Sequence, residues 1–250
     1  MKTINERLID LYSGHWDELK SQAVIAFEDD EIKPACPLLL QVNEDEYSKS
    51  DIKIMYCGQE TRGWGTANLI SCDMKSVLDI YQNFFLNKGY ERHPNRGFFQ
   101  KVRKFDAFFK QQFEDKKIVS IWNNVSKIGK DKRKTGVTDK IRNLERTYFP
   151  VLKREFEILK PDIVIFMTGT RDYDIRFHFP DVKIERVIES MERTQKQLAS
   201  VRSESIAKVA IRTYHPASRG YFNKAMMSDI EELLKTLINN HQLGEKNEQT

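Results

Sequence analysis

The chain has 250 residues, enough for one large domain or two small ones with a sizeable buried core. Its 40% hydrophobic and 31% charged residues match a folded globular protein and exclude a disordered chain. A net charge of +4, from 41 basic against 37 acidic residues, permits a polyanionic partner without requiring one.

Residues 5–27 carry Leu8, Ile9, Leu11, Tyr12, Leu19, Val24 and Ile25 at helical spacing, an amphipathic helix that Gly14 is placed to break. Residues 38–42 form a short apolar run, either a strand or a buried segment. Residues 52–57 (IKIMYC) read as a strand that stops at Gly58. A long loop follows, then a helix near 74–85 and another over 97–113 that spaces Phe98, Val102, Phe105, Phe109 and Phe113 along one side. Residues 118–122 (IVSIW) give a second strand. Residues 138–159 are helical, with Pro150 expected to kink the helix or begin a second one. Residues 162–167 (DIVIFM) are a third strand, and 206–214 hold a fourth around Val209, Ala210 and Ile211. A last helix covers 224–239, and the charged tail after Gln242 is expected to be mobile.

Short apolar strands alternating with helices argue for an α/β fold with a mostly parallel, roughly four-stranded sheet covered on both faces. The longest apolar runs are about five residues, against the roughly 20 of a membrane span, and MKTINERLID lacks the apolar core of a signal peptide. Cys36, Cys57 and Cys72 form no CxxC pair, so the expected setting is a reducing cytoplasm, without a disulfide framework or an all-thiolate metal site.

In sheets of this kind ligands bind at the carboxyl ends of strands. The first strand is followed by Gly58-Gln59-Glu60-Thr61, the second by Asn123-Asn124-Val125, the third by Thr168-Gly169, and the fourth by His215-Pro216-Ala217-Ser218. A carboxylate, an amide and an imidazole thus stand at three strand ends. Trp64, flanked by Gly63 and Gly65, reads as lying outside the deep core.

This set resembles the uracil-DNA glycosylase superfamily. GQET matches the glycine-started motif after the first strand, GQDPY in the best-known branch. Asn123-Asn124-Val125 matches an N-x-V segment, LKPDIVIFMTG a lysine–proline strand entry, and Tyr214-His215-Pro216-Ala217-Ser218 the closing HPS-type motif. Arg219-Gly220-Tyr221-Phe222 matches the arginine–glycine–aromatic stretch that follows, and Gly97-Phe98-Phe99 a G-x-P-F segment. The match spans about 52–222; Thr61 stands where the family has proline, Glu60 where it has aspartate, and Ala217 where it has serine.

The resemblance implies a three-layer α/β/α domain, expected over 51–242; the residues outside it read as a helical extension packed on the domain over 1–50 and a mobile tail over 243–250. It implies a monomeric, monofunctional DNA glycosylase that flips a deaminated base, uracil first, out of DNA in base-excision repair, with no metal and no organic cofactor. Glu60 is the expected catalytic carboxylate beside the sugar, and His215 the donor to the departing base. Asn123 is the expected reader of the base edge, with Gln59 beside it, and Phe99 the stacking ring, with Phe98 and Trp64 as alternates. Lys127, Lys130, Lys132 and Arg133 would grip phosphates with a second basic group at Arg96, Lys101, Arg103 and Lys104, Ser218 and Arg219 would hold the phosphate beside the flipped nucleotide, and Tyr221 or Phe222 would fill the gap in the duplex. A catalytically inactive nucleic-acid-binding protein with the same fold is the alternative. An unrelated doubly wound enzyme is a third reading, for which no GxGxxG, Walker A or GxSxG motif is present.

Overall fold

The computed structural model describes residues 2–65, 67–92, 97–132, 135–186, 194–218 and 222–244. Arg96, Arg133, Arg219 and Tyr221 lie outside the described residues. The chain divides into two compact units, each assembled from three stretches: 1–44, 59–93 and 122–159 in unit 1, and 45–58, 94–121 and 160–250 in unit 2. Among the described residues no helix is long and apolar enough to cross a membrane.

Unit 1 is built on helix α1 (Ile4–Phe27), which starts at a capping box: Thr3 accepts from the Glu6 amide, and the Glu6 carboxylate accepts from the Thr3 amide. Leu8, Tyr12, Trp16, Leu19, Ala23 and Phe27, three or four residues apart, form its buried stripe. That stripe packs on α5 (Asp139–Tyr148) and α6 (Leu152–Leu159), so residues 4–27 are part of the core of unit 1. Gly14 does not break α1; it sits on the exposed side. Pro150 separates α5 from α6, the second of its two expected outcomes. Residues 38–42 are a buried extended segment with no strand. Its amides donate to Lys127 O (from Leu38, 2.8 Å), Tyr12 Oη (from Leu40, 3.0 Å) and Asn5 Oδ1 (from Val42, 2.9 Å).

Unit 2 holds strands β1 (Ile52–Gly58), β3 (Ile163–Phe166), β4 (Lys183–Arg186), β5 (Leu198–Arg202) and β6 (Val209–Thr213). Strand β2 (Ile118–Asn124) begins there and ends in unit 1. Among the described residues the sheet has six strands, in the order β2-β1-β3-β6-β5-β4, not the four expected. β1, β3 and β6 are parallel, with Ile54 opposite Ile163 and Ile163 opposite Val209. Nearly every residue of these three strands is buried, because both faces are covered; hence their unbroken apolar sequences. β5 is antiparallel to both β6 and β4. Around the sheet lie α4 (Gly97–Gln112), α7 (Asp172–His178) and α8 (Lys224–Asn240), the last packed against β6. Asp106 ties α4 to the strands, accepting from Tyr56 Oη at 2.7 Å and Ser120 Oγ at 2.6 Å. The remaining helices among the described residues are α2 (Glu44–Ser48), α3 (Met74–Tyr81), which a π-helical turn continues at Gln82–Leu86, and a 3-10 turn at Gly89–Arg92.

Candidate functional site

In unit 1 the segment after β1 is fastened to the segment after β2 at four points. Ser126 N–H donates to Gln59 O at 2.9 Å, and Gly63 N–H to Lys130 O at 3.2 Å. With the Asn124 amide in the orientation that satisfies both its ends, its oxygen accepts from Thr61 N–H at 3.2 Å and its nitrogen donates to Asn123 O at 2.9 Å. Glu60 Oε1 accepts from Gly136 N–H at 2.8 Å. The closeness of the two segments depends on Gly129. A Cβ there would lie 1.9 Å from Thr61 O, so only glycine lets the backbones meet. Gly129 was not singled out in the sequence, although its place five residues past β2 puts it inside the motif it supports.

Asn123 does not face an open site. It is fully buried; its Nδ2 donates to Glu155 Oε2 at 3.0 Å, while its Oδ1 accepts from Lys127 Nζ at 2.7 Å and Asn124 N–H at 2.8 Å. Lys127, expected at a phosphate, is also fully buried and forms an ion pair with Glu155 at 2.8 Å. The apolar surroundings demand a counter-charge and hydrogen bonds for its ammonium, and Glu155 and Asn123 supply them. Tyr12 Oη donates to Glu155 Oε1 at 2.7 Å, and burial, reinforced by that carboxylate, pushes the Tyr12 hydroxyl well above its ordinary pKa. Glu145 accepts from the Lys127 and Ile128 amides at 2.8 and 3.1 Å. Lys130 is half-buried, and Lys132 is exposed with its ammonium on Glu31 O at 2.7 Å.

Trp64 belongs to the core rather than lying outside it. Its ring makes edge contacts with Trp122 at 5.2 Å and Phe84 at 5.6 Å, in a cluster that Tyr81 and Phe85 complete around Trp122. The two flanking glycines have positive φ, so they turn the chain inward to deliver the indole instead of leaving it outside.

In unit 2 the parallel strands β1, β3 and β6 end at one edge of the sheet. His215 follows β6 by two residues and opens a turn closed by Ser218 N–H donating to His215 O at 2.8 Å. Ala217 N–H donates to His215 Nδ1 at 3.1 Å. An imidazole whose Nδ1 accepts carries its proton on Nε2, so the neutral ring is a hydrogen-bond donor there. The Phe98 ring lies against the imidazole, centroids 6.1 Å apart and 29° from parallel. Phe99, the expected stacking ring, is instead buried in α4 with its edge on Phe98 at 5.2 Å. One helical turn on, Lys101 holds its ammonium 4.7 Å from the centre of the Phe222 ring; burial, and then the charge of Lys104, lower its pKa. Phe222, a candidate wedge, is itself buried, with its ring edge on Phe105. Ser218 is half-buried.

No family model matches the chain, and no curated protein matches it.

Proposed function

We propose that the chain is a monofunctional DNA glycosylase with a three-layer, uracil-DNA glycosylase-like fold. It hydrolyses the N-glycosidic bond of a flipped, deaminated base, uracil first. The observation that carries this reading is the His215 turn. A neutral imidazole, fixed as an Nε2–H donor by the Ala217 amide, stands just past a buried parallel strand with an aromatic face beside it. Bond cleavage sends negative charge to a carbonyl oxygen of the departing base, and a preorganised donor lowers that cost without having to lose a proton. The cationic sugar left behind needs a carboxylate and a water, the role that the resemblance of GQET to the family motif assigns to Glu60. Stacking on the base falls to Phe98, since Phe99 is committed to the core. Hydrolysis then needs water alone.

The test is an oligonucleotide carrying one uracil, single- or double-stranded, incubated with protein and treated with alkali to break the strand at abasic sites. Strand breakage at the uracil is expected with the native chain. His215→Ala and Glu60→Gln should each lower it at least about 100-fold, the scale of a lost oxyanion donor or general base, with unchanged thermal unfolding. Glu60→Gln keeps an acceptor for Gly136 N–H, so it removes charge without unfastening the loop. No breakage by the native chain on either substrate sinks the reading.

A second reading, a catalytically inactive nucleic-acid-binding protein, draws on Glu60 and Asn123. Glu60 holds the Gly136 loop and Asn123 is wholly engaged inside unit 1, both structural uses of motif residues. It predicts salt-sensitive retention of the same oligonucleotides with no abasic product.

A further inference from the structure

Large apolar side chains left in solvent are informative when they stand close together on one element. Among the described residues only two tyrosine, phenylalanine or tryptophan rings are exposed, Tyr173 at 50% and Phe177 at 42%, and both stand on α7 of unit 2. Four residues apart, they share one side of the helix and lie about 6 Å apart along its axis. Arg176 shares that side; it is exposed, and its Nη1 donates to Val182 O at 3.1 Å, which fixes the guanidinium on the helix surface. The carboxylates of α7 are taken up elsewhere. Asp174 is buried, and Asp172 Oδ1 lies 3.0 Å from Nε of the buried Arg212. Lys183 and Lys196 add exposed cations on segments tied to the same helix: Val182, beside Lys183, accepts from Arg176, and Lys196 O accepts from Arg212 at 2.7 Å. Of the acids on the following segment, Asp181 accepts from Ser203 Oγ at 2.6 Å and Glu185 is paired with Arg202. Cations thus outnumber solvent-facing carboxylates around the two rings.

We propose that the exposed face of α7 is a stacking platform for single-stranded DNA, on which unpaired bases lie against Tyr173 and Phe177 while Arg176 and the flanking lysines meet the phosphates. Every base has a π face, so ring stacking reads no sequence; it requires only that the base not be stacked inside a duplex already. The charge of the face selects this occupant. A strand brings one phosphate per base to the cations beside the rings, whereas an apolar protein surface would strip water from Arg176 and return no partner for it. The platform also starts where such a strand would pass. α7 follows β3 and His215 follows β6, neighbouring parallel strands whose ends are joined by Gly169 N–H donating to Thr213 O at 2.9 Å. Helix and turn therefore leave the same edge of the sheet. That the strand is DNA rests on the glycosylase reading; the stacking does not.

The test is fluorescence anisotropy of a labelled oligothymidine of about 12 nucleotides, alone and annealed to its complement, titrated with the full-length chain. The strand holds no uracil, so the result stands apart from base excision. The native chain should bind the single strand. Tyr173→Ala and Phe177→Ala should each weaken that binding about 5-fold or more, Tyr173→Trp should keep it, and duplex affinity should stay unchanged in all three. Thermal unfolding should stay native, because the rings removed are exposed. With no substitution at all, irradiating a bromodeoxyuridine-substituted strand on the native chain should link it to the tryptic peptides 172–176 and 177–183, which carry the two rings. No binding of the single strand, equal weakening of single strand and duplex, or crosslinks confined to other peptides overturns the proposal. So does a native dimer that Tyr173→Ala turns into a monomer, since a second copy would then cover the face, and tighter binding of oligouridine than of oligothymidine overturns the assignment to DNA. Uracil excision that persists while single-strand binding is absent sinks the platform and leaves the glycosylase reading standing.

Discussion

Lys127 and Glu155 have no exposed side-chain surface, and each is tolerable there only because of the other. Asn123 and Tyr12 take up the hydrogen bonds that the ion pair leaves over, so four polar side chains form one closed network inside unit 1. Truncating one partner leaves the other charge buried and alone. Glu155→Ala should therefore cost about 3–5 kcal/mol of stability, read as a fall in the urea midpoint. Adding Lys127→Met should recover part of that loss, because the orphaned ammonium goes with it. A double variant that loses the sum of the two single losses would show that the pair is not coupled. At this scale the sequence displayed residue types and positions but not which way each points. Asn123 was singled out at a strand end and Lys127 in the basic run beyond it; Asn123 lies within β2, Lys127 three residues past it, and both are buried. Phe98 and Phe99 are neighbours in a helix, so their side chains diverge, and only the fold decides which one meets His215.

Elements were legible in proportion to the regularity of their patterns. β1, β2, β3 and β6 were found because strands covered on both faces read as apolar runs. β4 and β5 were not. β4 is Lys-Ile-Glu-Arg with only Ile184 buried, an outer strand whose charges suit an edge, and β5 ends in an exposed arginine paired with Glu185 across the ladder. Alternation over four or five residues cannot be told from a loop. Gly14 misled in the opposite direction. A single glycine weakens a helix by a fraction of its total stability, and the six-residue stripe of α1 outweighs it. A Cβ at Gly14 would meet nothing within 4 Å, so Gly14→Ala should stabilise the protein by about 0.5–1 kcal/mol. The measurement is the urea midpoint at constant slope, and no change or a loss would mean that α1 uses that position for something other than helix.

Across the whole molecule, the division into units was not legible at all. Each unit draws on three separate stretches, and nothing in composition marks their borders; the pattern shows that α1 has an apolar face but not that α5 and α6, more than a hundred residues on, cover it. Charge is the property that survives this loss of detail, because partner binding depends on how many cations reach solvent. The basic run after β2 contains five basic residues in the sequence, yet Lys127 is withdrawn from it by Glu155 and cannot release a counterion. Lys130 and Lys132 retain access to solvent. If the chain binds DNA through this loop, the logarithm of its affinity for a duplex should fall linearly with the logarithm of salt concentration, by about 0.9 for each phosphate neutralised. Replacing both Lys130 and Lys132 by alanine should reduce that slope by about two, while leaving the order of preference among duplex sequences intact, since phosphate contacts carry no sequence information. Fluorescence anisotropy across a salt series measures the slope directly. An unchanged slope in the double variant would remove this loop from the DNA-binding surface and transfer the role to Lys101, Arg103 and Lys104 on α4.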